Sequence, residues 1–165
     1  MSPTYVVASD QCRRTPPWLY QACCSLAGVD DFALDAFADA TNALCLHYLD
    51  GGPQRDGLVE PWSDWTFANP PFKLMDRVVG KALVEAVDYG RARSVLVGPA
   101  GCSQRWFRAL WPRAHVWLPD RRLVFLDRDG RPTRGAMQDS AVYIVDGVPR
   151  ERPEVDVLRV DEEST

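Results

Sequence analysis

The stretch from Trp65 to Val97 limits the fold more than any other part of the chain. A short apolar run, Trp65-Thr66-Phe67-Ala68, stops at Asn69-Pro70-Pro71-Phe72. From Leu74 to Tyr89 the apolar residues Met75, Val78, Val79, Ala82, Leu83, Ala86 and Val87 then keep helical spacing, and Gly90 closes the helix. Ser94 to Val97 reads as a buried strand ended by Gly98-Pro99. A strand that halts at a stiff polar turn before a helix puts that turn at the carboxyl edge of a sheet, where open α/β folds bind ligands. Two consecutive prolines fix φ twice and remove two backbone donors, so the carbonyls there point in preset directions.

The flanking segments fit the same plan. Thr15-Pro16-Pro17 reads as a helix start with Thr15 as N-cap, and Leu19, Ala22, Cys23 and Leu26 form one apolar face before Gly28. Phe32 to Phe37 reads as a central strand ending at Asp35. The small residues Ala36, Ala38 and Ala40 follow and would let a ligand approach the backbone. A carboxylate there, Asp35 or Asp39, can bind an ammonium or ribose hydroxyls; Asp39 suits a helix cap equally well. Residues 43 to 64 are dominated by turns at Asp50-Gly51-Gly52-Pro53 and Asp56-Gly57-Leu58. Ser103 can cap a short helix carrying Trp106, Phe107 and Leu110. Val116–Leu118, Leu123–Leu126 and Ala141–Val145 are strand candidates. The last two predict a C-terminal antiparallel hairpin with a long arginine-bearing loop. The alternation of strands and helices predicts an α/β sheet sandwich. Residues 1–14 are expected as an extended leader, 15–148 as the domain and 149–165 as an acidic, mobile tail.

Charge and cysteine usage bound the function classes. The net charge of −4 argues against a strongly basic nucleic-acid binder. It hides a gradient, however: eight arginines lie between Arg105 and Arg134 against three aspartates. A local basic strip can hold phosphate, or be a solvated face. Five cysteines with no C-x-x-C pair, and only two histidines, make a zinc site unexpected and point to a reducing, cytoplasmic setting. No long apolar run supports membrane insertion.

Asn69-Pro70-Pro71-Phe72 suits one chemistry in particular. An aromatic NH2 group is a poor nucleophile because its lone pair is delocalised into the ring. A side-chain amide oxygen and a fixed carbonyl that both accept from it favour a pyramidal nitrogen and stabilise the positive charge that develops on attack. The Phe ring would stack on the base. Asn-Pro-Pro-Phe/Tyr matches the catalytic motif of S-adenosylmethionine-dependent amino-group methyltransferases.

Taken in order, Thr15-Pro16, Leu34-Asp35-x-x-Ala38, Asn42, Asp56-Gly57-Leu58, Asn69–Phe72, Lys81-Ala82, Trp106-Phe107, Arg122-x-x-Phe125 and Ser140 make the chain resemble the small phage-type DNA N6-adenine methyltransferases. The resemblance implies a compact Rossmann-like class I methyltransferase sheet, phage or prophage origin in a bacterial host, and S-adenosylmethionine as methyl donor without a metal. It implies cofactor contacts at Thr15, Pro16, Asp35, Ala38, Asp39 and Asp56, with the adenine of DNA stacked on Phe72 and held by Asn69 and Pro70. With no separate recognition domain, Arg122, Arg128, Arg131 and Arg134 are the expected DNA contacts. Two features depart from the pattern: alanines stand where glycines usually follow the first-strand acid, and the stretch between Asp35 and Asn69 is short. Two alternatives remain. One keeps the chemistry on RNA adenine, cytosine N4 or protein glutamine; the other is a non-catalytic phage accessory module.

Overall fold

The structure, a computed structural model, describes residues 13–133 and 139–160. Six strands form one sheet: β1 (Leu34–Asp35), β2 (Thr66–Ala68), β3 (Ser94–Pro99), β4 (Ala114–Pro119), β5 (Ser140–Val145) and β6 (Glu154–Leu158). Their spatial order is β1-β2-β3-β5-β4-β6. β1, β2 and β3 are mutually parallel, β5 runs antiparallel between β3 and β4, and β6 lies parallel to β4. Only β5 is therefore reversed among these six strands.

Alternation along the strands builds a core on each face. Leu96, Ala141, Tyr143 and Val145 point to the face covered by α2 (Met75–Leu83) and α3 (Arg105–Leu110). Val95, Val97, Val142 and Ile144 point to the other, where Leu19, Tyr20, Cys23 and Cys24 of α1 (Pro17–Ala27) pack. Helices on both faces of one mostly parallel sheet make this an α/β fold. No helix of the described residues is long and apolar enough to cross a membrane.

Several expectations need correcting. α1 starts at Pro17 with Pro16 in the N-cap position and no side-chain cap, so Thr15 does not cap it. β1 is not central. It ends the ladder, and residues 47–49 cover its outer side: Asp35 N–H donates to the His47 carbonyl and Leu49 N–H to that of Asp35, both at 2.9 Å. The helix expected over 74–89 opens as a 3₁₀ turn (Phe72–Leu74) and ends in a π turn (Val84–Asp88). A wider turn shifts the facing of later residues by roughly one position. Val87 is accordingly exposed while Glu85 is fully buried. Glu85 meets Lys81 at 2.6 Å and Arg91 at 2.7 Å. Burial opposes its charge, yet these bonds hold the carboxyl below its usual range.

The hairpin between 123–126 and 141–145 does not form, because β3 and β4 occupy both edges of β5. Leu123 and Phe125 are instead buried on the α1 face, and Leu126 bridges Arg14 and Pro132. The stretch 149–165, expected as a mobile tail, contains β6 and the buried Leu158 and Val160. Pairing with β4 and the burial of Leu158 and Val160 hold it, while Val155 and Val157 stay exposed, and the His115 ring reaches Asp156 at 2.8 Å. Most of the leader, residues 1–12, lies outside the described residues, as do Arg134 and residues 161–165.

Candidate active site

Because β1, β2 and β3 are parallel, their carboxyl ends share one rim. Asp35-Ala36, Ala68-Asn69 and Pro99-Ala100 leave the sheet there. β5 begins at the same rim, since Pro99 pairs with Ser140. The long connection from β4 to β5, with its arginines, therefore starts and ends on the same rim as the Asn69 turn.

A cleft of about 220 Å³, half-open to solvent, opens on this rim. Arg13, Arg14, Thr15, Asp35, Phe37, Ala38, Asn42, Phe67 and Asn69 line it. Residues 54 positions apart meet: the Asn69 Nδ2 donates to Thr15 Oγ1 at 2.9 Å, and also to the Arg13 carbonyl at 3.3 Å. These bonds use the donor end of the amide and leave Oδ1 as its acceptor end. Thr15, not a cap, is thus the partner that fixes Asn69. The segment before it is held by paired bonds between Arg14 and Leu126 of 2.8 and 2.9 Å.

Asp35 is 4% exposed, and burial pushes its carboxyl up to about 7, against stabilising bonds from the Phe37 and Leu44 backbone. No ion pair to a described residue offsets that burial. Such a group favours a cationic ligand, whose arrival restores the charged form. Ala36 and Ala38 carry the backbone past it, and Ala38 lines the cleft.

Asp39 is turned to another use. Its Oδ1 accepts from the Thr41 N–H at 2.7 Å and from Thr41 Oγ1 at 2.6 Å, while its N–H donates to Asn42 Oδ1 at 2.6 Å. It pins its own turn and does not line the cleft. Asp56 also lies off the cleft wall: its Oδ1 accepts from the Leu58 N–H at 2.9 Å, and Oδ2 is buried without a partner among the described residues. The turn it opens sits against β1, where a Cβ at Gly57 would come within 2.1 Å of the Ala36 carbonyl oxygen. Trp62 locks that approach through Nε1 to the Gly57 carbonyl at 2.8 Å, and its N–H reaches Glu85 at 3.4 Å.

Pro70 is buried, Pro71 and Phe72 are half-buried, and Pro16 is buried beside α1. The Phe72 ring stands edge-on to Phe125, centroids 6.5 Å apart, so Arg122-x-x-Phe125 supports the motif by packing. Arg122 itself reaches Asp139 at 3.4 Å on the surface. Arg128 and Arg131 ride on a tight loop whose Asp127 Oδ1 accepts from the N–H groups of Asp129 and Arg131 at 2.8 and 2.9 Å. The expected contact at Arg134 lies outside the described residues. Sequence reasoning missed Arg13 and Arg14; two arginines directly before Thr15-Pro16 were the available signal.

The family model described as DNA N-6-adenine-methyltransferase (Dam) matches residues 2–157 of this chain. Neither the curated proteins nor the solved structures yield a match.

Proposed function

The chain belongs to the DNA N-6-adenine-methyltransferase family and is an adenine-specific DNA methyltransferase; from that premise we propose how its rim cleft works and what it takes. The substrate is adenine in DNA, swung out of the stack, and the methyl donor is S-adenosylmethionine. The observation that carries this reading is the oriented Asn69 amide, its nitrogen bound to Thr15 and Arg13 in the cleft that also holds the buried Asp35.

The residues present fit this donor. The cleft is narrow and open to solvent, which suits contact with one end of a molecule rather than enclosure of the whole. Its wall carries a buried carboxyl and two arginines, and the donor has an ammonium and a carboxylate at one end. Asp35, Thr15 and Ala38 would hold that end. When bound, S-adenosylmethionine supplies a methyl carbon activated by a sulfonium.

The protein's own contribution is positioning and charge stabilisation. The Asn69 Oδ1 and the Pro70 carbonyl would accept the two N6 hydrogens, drawing the lone pair out of conjugation. Both oxygens then face the positive charge that grows on N6 as its bond to carbon forms. The proton lost from N6 afterwards passes to water. Phe72 would stack on the adenine, with Phe125 stopping the ring from tilting away. Arg122, Arg128 and Arg131 would meet phosphates. The single reversed strand in an otherwise parallel sheet supports the Rossmann-like assignment.

The test is incubation with methyl-labelled S-adenosylmethionine and duplex DNA, RNA or protein, followed by nucleoside analysis. N6-methyladenine in DNA is expected. Label confined to RNA or protein, or to cytosine, would refute the substrate assignment.

A further inference from the structure

Two opposite charges share the cleft wall, and the cation that serves the ligand can be singled out. Resting on the reading that the cleft holds S-adenosylmethionine, we propose that it grips the donor's amino-acid end as a zwitterion, with the ammonium toward Asp35 and the carboxylate toward the guanidinium of Arg13.

The argument for Arg13 is one of elimination among the groups on the wall. A carboxylate next to α1 would ordinarily take the free N–H groups of the helix start. Here Pro16 and Pro17 have none, the N–H groups of Leu19 and Tyr20 are already given to the Pro16 carbonyl at 3.0 and 3.2 Å, and Trp18 does not line the cleft. The Asn69 amide nitrogen is committed to Thr15 and the Arg13 carbonyl. The guanidinium of Arg14 donates to Thr41 Oγ1 at 3.1 Å and helps keep Asp39 ionised. Arg13 has no ion pair or side-chain hydrogen bond with any described residue. It is also held in place by its main chain, since its carbonyl accepts from Asn69. A planar guanidinium can meet a carboxylate through two parallel bonds, which a lysine in its place could not.

The geometry has a consequence for ligand selection. S-adenosylmethionine and its demethylated product both carry the carboxylate, so Arg13 would grip both. A ligand lacking the group would lose that contact.

The experiment is calorimetric titration of the parent and of Arg13→Gln with S-adenosylmethionine, S-adenosylhomocysteine and decarboxylated S-adenosylmethionine. The substitution is expected to weaken the two carboxylate-bearing ligands roughly 10- to 100-fold, the scale of a lost charged hydrogen-bond pair. It should leave affinity for the decarboxylated ligand within about twofold, which also reports that the variant is folded. Equal weakening of all three ligands, or none, overturns the assignment while the methyltransferase reading stands. A parent that binds none of them overturns both. Arg14→Gln is the control: because its guanidinium braces the Thr41 turn, it should weaken all three ligands alike.

Discussion

Replacing Asp35 with Asn should make the unliganded protein more stable at alkaline pH while loosening its hold on a cationic ligand. The carboxyl is 4% exposed, and burial lifts it to about 7. In the unfolded chain it returns to about 3.9. A group raised in this way contributes stability that is fully present below about pH 3.9 and lost as pH rises through the folded value. About three units at ~1.4 kcal/mol each set a ceiling on the order of 4 kcal/mol, of which about 2–3 kcal/mol should disappear between pH 5 and 8. Other groups work in the opposite sense: despite burial, Glu85 and Asp146 are held low by cationic partners. The informative quantity is therefore the difference between parent and variant. Urea unfolding of both proteins at half-unit steps from pH 5 to 8, without ligand, measures it. The parent should lose about 2–3 kcal/mol more than Asp35→Asn across that range, and parallel curves would refute an uncompensated buried carboxyl at this position. Calorimetry with S-adenosylmethionine supplies a second arm. Parent affinity should rise with pH through neutrality with proton release, and in the variant it should be weak and flat.

Four other outcomes follow from the same geometry. Asn69→Ala should lower turnover by at least ~100-fold, the scale of a lost transition-state hydrogen bond, in single-turnover methylation; because Asn69 also ties down Thr15 and Arg13, a modest loss of donor affinity should accompany it. Phe72→Ala should weaken binding of DNA with an unpaired target adenine by about 1–3 kcal/mol in a fluorescence titration, and leave donor affinity unchanged. Glu85→Ala removes the acid that Lys81 and Arg91 share and the acceptor near the Trp62 N–H. Urea unfolding should show a loss of about 3 kcal/mol, and full stability would mean the network is idle. Arg128→Ala with Arg131→Ala should flatten the salt dependence of DNA affinity without changing donor affinity; an unaltered slope would remove this loop from the DNA contact.

The elements that could be read from sequence were those whose signal is local. Pro16-Pro17 and Gly28 bracket α1, and Gly28 indeed adopts φ 70° at its end. The apolar positions from Met75 to Ala82 are buried at helical spacing. Asn69-Pro70-Pro71-Phe72 sits at the end of a buried strand on the rim of a parallel sheet. Reading failed where a distant partner decides the outcome. Val87 matched the helical pattern but was displaced when Glu85 turned inward to Lys81 and Arg91. Leu123 to Leu126 alternates like a strand, yet the edges of β5 were already taken. The acidic C-terminal stretch looked soluble by composition, but β4 offered its Val155 to Leu158 segment a ladder.

By itself the sequence determined the residue types of the Asn69–Phe72 turn and the alternation that yields an α/β sheet, because propensity, proline geometry and periodicity act over a few neighbours. Tertiary structure alone decided that Thr15 meets Asn69, that Asp39 serves Thr41 while Asp35 lines the cleft, and that Arg13 faces the same space. Those pairings join segments tens of residues apart. They depend on strand order and burial, which no short window of sequence contains.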